Sequence, residues 1–181
     1  MVLTPIPAAS ASDPLYFLKT APHPTTPNDT RFANRYLRHH GSGINAIMVM
    51  PSSPKFLRFH PLSHGHQVIS SWKHPGRAWG LCLDRTNRQW EEVQIVENSS
   101  ELGFTWVKNS STEVETLEHS GDIKYENRTL QWSGWMVCEW AYGHPQLFWV
   151  TNEMSGSLPE ICERVVIVKE AIPVDAQEGA Q

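Results

Sequence analysis

The stretch "WMVCEWAYGHPQLFWV", Trp135 to Val150, decides the fold. Two apolar runs flank a five-residue segment that holds Gly143 and Pro145, residue types that end strands and turn chains. The layout is that of a β-hairpin. With Trp140 opposite Gln146, period-two alternation places Met136, Cys138, Trp140, Gln146, Phe148 and Val150 on one face. Trp135, Val137, Glu139, Leu147, Trp149 and Thr151 then share the other. Both faces are mostly apolar, so the hairpin is expected at the centre of the fold, covered on both sides or lining a cavity on one of them.

Working outward, strand-like runs recur on either side: "LYFLK", "AIMVM", "KFLRF", "QVISSW", "AWGLCL", "EEVQIV", "GFTWV", "VETLE", "TLQW" and "RVVIVKEAI". Short strands separated by Pro, Gly, Asn and Ser predict an all-β fold, an antiparallel β-sandwich or, as the alternative, a closed β-barrel. At most one or two short helices are expected, the best window being "DTRFANRYLRHH". Residues 1–14 and 173–181 read as flexible flanks of a single β domain over 15–172. The polar stretch "NSSTEVETLEHSGDIKYENRT" suits a solvent-facing hairpin.

A net charge of -4 and a pI near 6.1 argue against nucleic acid or an anionic membrane surface as partner, since both require a concentrated basic face. No apolar run approaches the roughly 20 residues of a membrane span, and the N-terminus lacks the charged and apolar regions of a signal peptide. Four of the eight Asn nevertheless begin N-x-S/T sequons, Asn28, Asn98, Asn109 and Asn127, which points to the secretory pathway or the extracellular space and to glycosylation on surface loops. Cys82, Cys138 and Cys162 are too few for a disulfide scaffold and lack C-x-x-C spacing. Cys138 lies in a strand-like run and Cys162 follows the breaker "SGSLPEI", so a Cys138 to Cys162 bridge tying the C-terminal strand to the hairpin is expected. Three free core thiols are the alternative.

Glu139 and Gln146 are polar among large apolar neighbours, where an unpartnered group costs about 1–3 kcal/mol. Each is braced by structure or spent on a ligand. Glu139 would act as acid or hydrogen-bond donor, or brace a neighbouring Arg; Gln146 would donate to a ligand carbonyl or form a cross-strand bond. Tyr142 and His144 sit at the hairpin tip, where binding groups and plain turn residues are both common. His60, His64, His66 and His74 cluster after His39 and His40, but Pro61 and Gly65 make that segment loop-like and no further element completes a metal site. P-loop, G-x-G-x-x-G and G-x-S-x-G motifs are missing, so no cofactor and no metal are expected.

The segments "YFLKT", "HHGSGINAIMVM" and "WEEVQI", together with "LQWSGWMVCEWAYGHPQLFW" followed by "LPEICERVVIV", resemble a family of small fungal secreted proteins of unknown function. That family includes hetero-Diels-Alderases of tropolone sesquiterpenoid biosynthesis. The resemblance runs from about Tyr16 to Ile172. It implies an all-β fold, supports the Cys138 to Cys162 bridge and has no place for Cys82. It further implies a cofactor-free cycloaddition joining a tropolone quinone methide to a humulene-type polyene, both small apolar polyketide or terpenoid substrates. Held proximity and a hydrogen bond to the quinone-methide oxygen would suffice for such a reaction. Trp140, Trp149, Phe148 and Tyr142 are then the expected substrate contacts, with Glu139, Gln146, His144 and Lys19 as the polar groups. Trp132, Trp135, Cys138 and Trp149 would serve the fold if the motif is common to members without activity.

A pericyclase needs an apolar cavity with a few convergent polar groups. A secreted carbohydrate-binding or cell-wall module would instead hold coplanar aromatics open to solvent. A non-catalytic effector with a protein partner carries no discriminating motif, and the oligomeric state is not legible.

Overall fold

The computed structural model describes residues 15–26, 30–40, 46–51, 57–61, 68–70, 78–84, 89–109, 113–120, 122–125, 127–140 and 143–172. The two flanks therefore lie outside the described residues, as do Asn28, Tyr142, His64, His66 and His74.

Fourteen strands follow one another among the described residues. They are β1 (Tyr16–Pro22), β2 (Tyr36–His39), β3 (Ala46–Val49), β4 (Arg58–Phe59), β5 (Val68–Ser70), β6 (Ala78–Leu83) and β7 (Trp90–Glu97), then β8 (Phe104–Lys108), β9 (Glu115–His119), β10 (Ile123–Tyr125), β11 (Arg128–Leu130), β12 (Trp132–Glu139), β13 (Pro145–Thr151) and β14 (Cys162–Ala171). Of the two architectures the sequence allows, the barrel forms. The ring β1–β2–β3–β13–β12–β14 returns to β1, so six antiparallel strands close on themselves. Closure removes the free edges that an open sheet would expose.

The ring is uneven. β1 pairs with β14 from Tyr16↔Ala171 to Pro22↔Val165, and β12 pairs with β13 along its whole length. The β2–β3 pair is joined to its neighbours only at Lys19↔Tyr36 and Gln146↔Ile47. A second route, β13–β7–β6–β5–β4–β1, connects the same two flanking strands. β9 continues the sheet from β14 and carries β8, whereas β10 and β11 form a separate two-stranded ribbon. The acidic stretch expected as one solvent-facing hairpin is thus divided: β9 enters the main sheet, burying Leu117 and His119, and only β10–β11 stands apart.

The lumen is packed. Leu18, Leu37, Met48, Phe59, Trp135 and Trp149 point into it from five strands of the ring and from β4, each no more than 1% exposed. Leu81, Leu83, Val93 and Ile95 extend this core under β6 and β7. A second, smaller cluster lies on the outer side of the hairpin, where Met136, Cys138, Phe148, Val150 and Cys162 are covered by Trp90, Met154 and Leu158. The hairpin is central, with an apolar layer on each face, as its alternation requires. Its register has Cys138 opposite Gln146, two residues from the expected Trp140 pairing. A shift of two leaves every side chain on the expected face.

The window expected to be helical, Asp29 to His40, has no helix among its described residues. Residues 31–34 form a turn, with Asn34 in the left-handed region at φ 57°, and Tyr36–His39 form β2. Tertiary demand overrides the helical pattern here. Thr20 of β1 donates its hydroxyl to the Phe32 carbonyl at 2.5 Å and accepts from the Arg35 amide at 3.0 Å, while Asn34 donates its amide to the Thr20 carbonyl at 2.9 Å. These bonds fix the turn so that Phe32, fully buried, joins the core. Arg31 beside it pairs with Glu163 at 3.0 Å and donates to the Glu160 carbonyl at 2.7 Å.

Candidate functional site

The bridge between Cys138 and Cys162 is present, on directly opposed positions of β12 and β14. It ties the last strand to the hairpin as the sequence predicts. Cys82 is a buried free thiol in β6, its sulfur 3.8 Å from the Ser99 carbonyl.

The expected site residues separate into three places. Trp149 is inside the barrel, fully buried, and its indole N–H donates to the Asp84 carbonyl at 3.0 Å. As a substrate contact this corrects the expectation: a ring enclosed by core atoms and spending its one donor on the backbone supports the fold. Glu139 also departs from its expected setting. It ends β12 with its side chain 57% exposed and faces Arg31 at 3.8 Å, the bracing alternative and not a carboxyl held in an apolar pocket. Lys19 lies on the outside of β1, near the β1–β2 seam and away from the hairpin.

Lys19 belongs to a small polar cluster. Its ammonium donates to one Glu170 oxygen at 2.7 Å, and the Tyr36 hydroxyl donates to the other at 2.7 Å. The hydrogen bond to Glu170 raises the Lys19 pKa above the ordinary lysine value, against the opposing effect of burial. Burial pushes Tyr36 up, and the bond to Glu170 adds to it. Burial alone would raise Glu170, but the bonds from Lys19 and Tyr36 outweigh it and hold the carboxyl below the ordinary range. A depressed carboxylate stabilises the fold above its unfolded pKa, and that contribution is lost as pH falls through the lower folded value. Lys19 works in the opposite sense, its contribution fading as pH rises past the lysine range. Glu170→Gln should therefore lower stability at neutral pH and flatten the acid limb of a urea-midpoint titration. Solvent screening limits the loss to about 1 kcal/mol. An unchanged acid limb would show that Glu170 is not the titrating group.

Trp140, Phe148 and Gln146 come together on the outer face of the hairpin. Trp90 of β7 joins them: its ring meets Phe148 at 5.1 Å and Trp140 at 5.5 Å, and Trp140 meets Phe148 at 5.9 Å. All three contacts are edge-to-face, with interplanar angles of 77–86°. Trp140 remains 41% exposed, so one large ring face is open. Glu92 stands beside Phe148 on the same face. Gln146, 4% exposed, lies two residues from Phe148, and its amide nitrogen is buried with no hydrogen-bond partner among the described residues. His144 is exposed at the hairpin tip, its ring 5.6 Å from that of His40. Trp90 and Glu92 were not singled out in the sequence; alternation gives their face, but the β7–β13 pairing that brings them to the hairpin has no local signal.

Among the described residues no group of three His, Cys, Asp or Glu is placed to hold a metal ion, and no helix is long and apolar enough to cross a membrane. A groove of about 420 Å³ runs between β8–β9 and β14, lined by Lys108, Glu113, Val114, Glu115, Val168 and Lys169. Its charges are tied in two ion pairs, Lys108 with Glu113 and Lys169 with Glu115. This is not the apolar enclosure that a cycloaddition requires.

The three sequons whose Asn is described lie at strand ends. Asn127 is exposed between β10 and β11, and Asn109 is half-buried after β8. Asn98 is exposed after β7, but Ser99 and Ser100 behind it are buried. They press onto Gly80, where a Cβ would come within 2.3 Å of the Ser99 carbonyl and the Ser100 Cβ, so only glycine allows the approach.

Residues 13–171, which include every strand, match the family described as Domain of unknown function (DUF7907). The chain belongs to this family. No curated protein and no solved structure matches it. Membership in the family accounts for the extent of the barrel and assigns no chemistry, so function rests on the residues themselves.

Proposed function

We propose that the outer face of the β12–β13 hairpin binds a small molecule with a flat apolar face and an acceptor oxygen, of the polyketide or terpenoid class, and that the packed lumen takes no part. The observation that carries this reading is the Gln146 amide nitrogen, buried without a partner among the described residues on the face that also holds Phe148 and the partly exposed ring of Trp140. A buried unsatisfied donor costs about 1–3 kcal/mol, and a ligand carbonyl accepting from it would recover that cost on binding. Stacking on Trp140 supplies the apolar part.

In its catalytic form the reading is the one implied by the resemblance to hetero-Diels-Alderases, and it requires the bound reactants themselves to complete the apolar enclosure that the described residues of this face do not form. A hydrogen bond from Gln146 to the quinone-methide oxygen makes the oxadiene more electron-poor, and one C=C of a polyene held against Trp140 and Trp90 adds across its two ends. One C–O and one C–C σ bond form as three π bonds become one, no atom is lost and no cofactor is used. The disulfide and the sequons Asn98, Asn109 and Asn127 support maturation in the secretory pathway, with glycans on those loops.

The test is incubation with a tropolone quinone-methide precursor and humulenol, following adduct yield and stereochemistry against the uncatalysed reaction. Trp140→Ala and Gln146→Met should each remove the acceleration. Gln146→Met should also stabilise the free protein, by about 1 kcal/mol, because it deletes an unpaired donor. Saturable quenching of Trp fluorescence by either reactant without acceleration would leave a binding protein that is not an enzyme. Absence of both would remove the reading.

A carbohydrate ligand is the second reading, favoured by the exposed Trp140 face with Glu92 nearby. Trp90 and Trp140 are 83° apart, so only one ring is available and the coplanar platform expected of such a module is not formed by this pair. Glycan-array binding that disappears in Trp140→Ala would select it.

A further inference from the structure

Arg164 stands on the outer face of β14, opposite Met136. Its Nη1 donates to the Ser133 carbonyl at 2.9 Å and lies 2.8 Å from where a side chain at residue 134 would place its Cβ. Gly134, at φ 134°, is thus the residue that lets the guanidinium lie across β12. Among the described residues no carboxylate pairs with Arg164, and burial lowers its pKa from the ordinary arginine value.

His23 is its neighbour across the seam, following Pro22, which pairs with Val165. The Thr25 amide donates to His23 Nδ1 at 3.2 Å, with the Thr25 hydroxyl 2.8 Å from the same atom, so the neutral ring carries its proton on Nε2. Burial first, and then the charge of Arg164, hold His23 below the ordinary histidine range. Two nitrogen groups that carry or can acquire positive charge therefore adjoin across the β1–β14 seam, and among the described residues no acid is paired to either.

We propose that Arg164 and His23 form a binding site for a small oxyanion, a carboxylate or a phosphate, on the outside of the barrel. A guanidinium has five N–H donors in a planar fork, and the Ser133 carbonyl uses one of them. The remaining donors can take two oxygens side by side, and the Nε2–H of His23 offers a further bond. Arg164, Met136 and Phe148 lie in one cross-strand row, so this site is two strand spacings, about 10 Å, from the Phe148 face. It does not depend on the Gln146 reading.

The experiment is a titration of the isotope-labelled protein with benzoate and, separately, with inorganic phosphate at constant ionic strength, following the ring signals of His23 and the Nε–Hε signal of Arg164. A saturable shift of both, at millimolar concentration, is expected with at least one anion. Benzoate alone would identify a carboxylate site, phosphate alone a phosphate site. The bound anion offsets the repulsion by Arg164, the charged group facing His23, Thr25 and Thr26 beside it being uncharged; the His23 titration midpoint should therefore rise. Arg164→Lys keeps the charge without the fork and should bind about tenfold more weakly. Arg164→Gln should abolish the response, and His23→Gln carries the same test should that variant fail to fold. A shift that never saturates, or one unchanged in the folded Arg164→Gln and His23→Gln variants, overturns the proposal and leaves Arg164 as a strut between β14 and β12.

Discussion

Trp135→Ala should lower the unfolding free energy by about 3–5 kcal/mol, the range for removing a large aromatic from a packed core. The ring is 1% exposed in the main core cluster, stacked on Phe104 of β8 at 6.4 Å and edge-on to Trp132 at 5.7 Å. Its indole N–H donates to the Leu117 carbonyl at 2.6 Å, so alanine would both open a cavity and orphan a buried acceptor between β12 and β9. Trp140→Ala, five residues on in the same motif, removes a ring that is 41% exposed and should cost no more than about 1 kcal/mol. Urea denaturation followed by far-UV circular dichroism compares the two. Equal losses would mean that the inner and outer faces of the hairpin have been assigned wrongly.

Replacing both Cys138 and Cys162 by alanine should cost about 3 kcal/mol, from the chain entropy restored to a denatured loop of separation 24. The two residues are already neighbours in the β12–β14 ladder, so the native strands need not move when the bond is absent. An effect on the unfolded chain has its own signature: the denatured state expands, and the urea m-value of the variant rises as its midpoint falls. A midpoint equal to that of the oxidised protein would show that the bond adds nothing to the ladder.

Strands with alternating or continuous apolar character were legible because their pattern is local. "WMVCEW" and "QLFWV" gave both the hairpin and its faces, and the two-residue difference in register changed no side chain's side. β2 was not legible: Phe32 and Tyr36, like Ala33 and Leu37, are four residues apart, a spacing that a helix would also use, and Thr20, far away in β1, holds the turn that sends the chain into a strand. The choice between sandwich and barrel depends on whether β1 meets β14, a contact between the two ends of the described chain that no periodicity encodes. Gln146 was recognisable as a polar residue in an apolar run. Trp90 was not recognisable as its companion, and Glu139 looked buried because the sequence does not mark where β12 leaves the core and meets Arg31.

The full-length pairing of β1 with β14 has a consequence for the order in which the molecule is made. A chain emerging from the ribosome presents Tyr16, Leu18 and Thr20 before any other described strand, yet the strand that covers their whole ladder is synthesised after all the others described. Ring closure must wait for β14, and high contact order of this kind gives slow folding. Until then, among the described residues, β1 is held by the Lys19↔Tyr36 pair with β2, the two pairs with β4 and the bonds of Thr20 to the 32–35 turn. Nascent chains that stop short of Cys162 lack both the closing strand and the thiol that bonds to Cys138, so completion of the barrel and completion of its covalent tie belong to the same late stage of biogenesis.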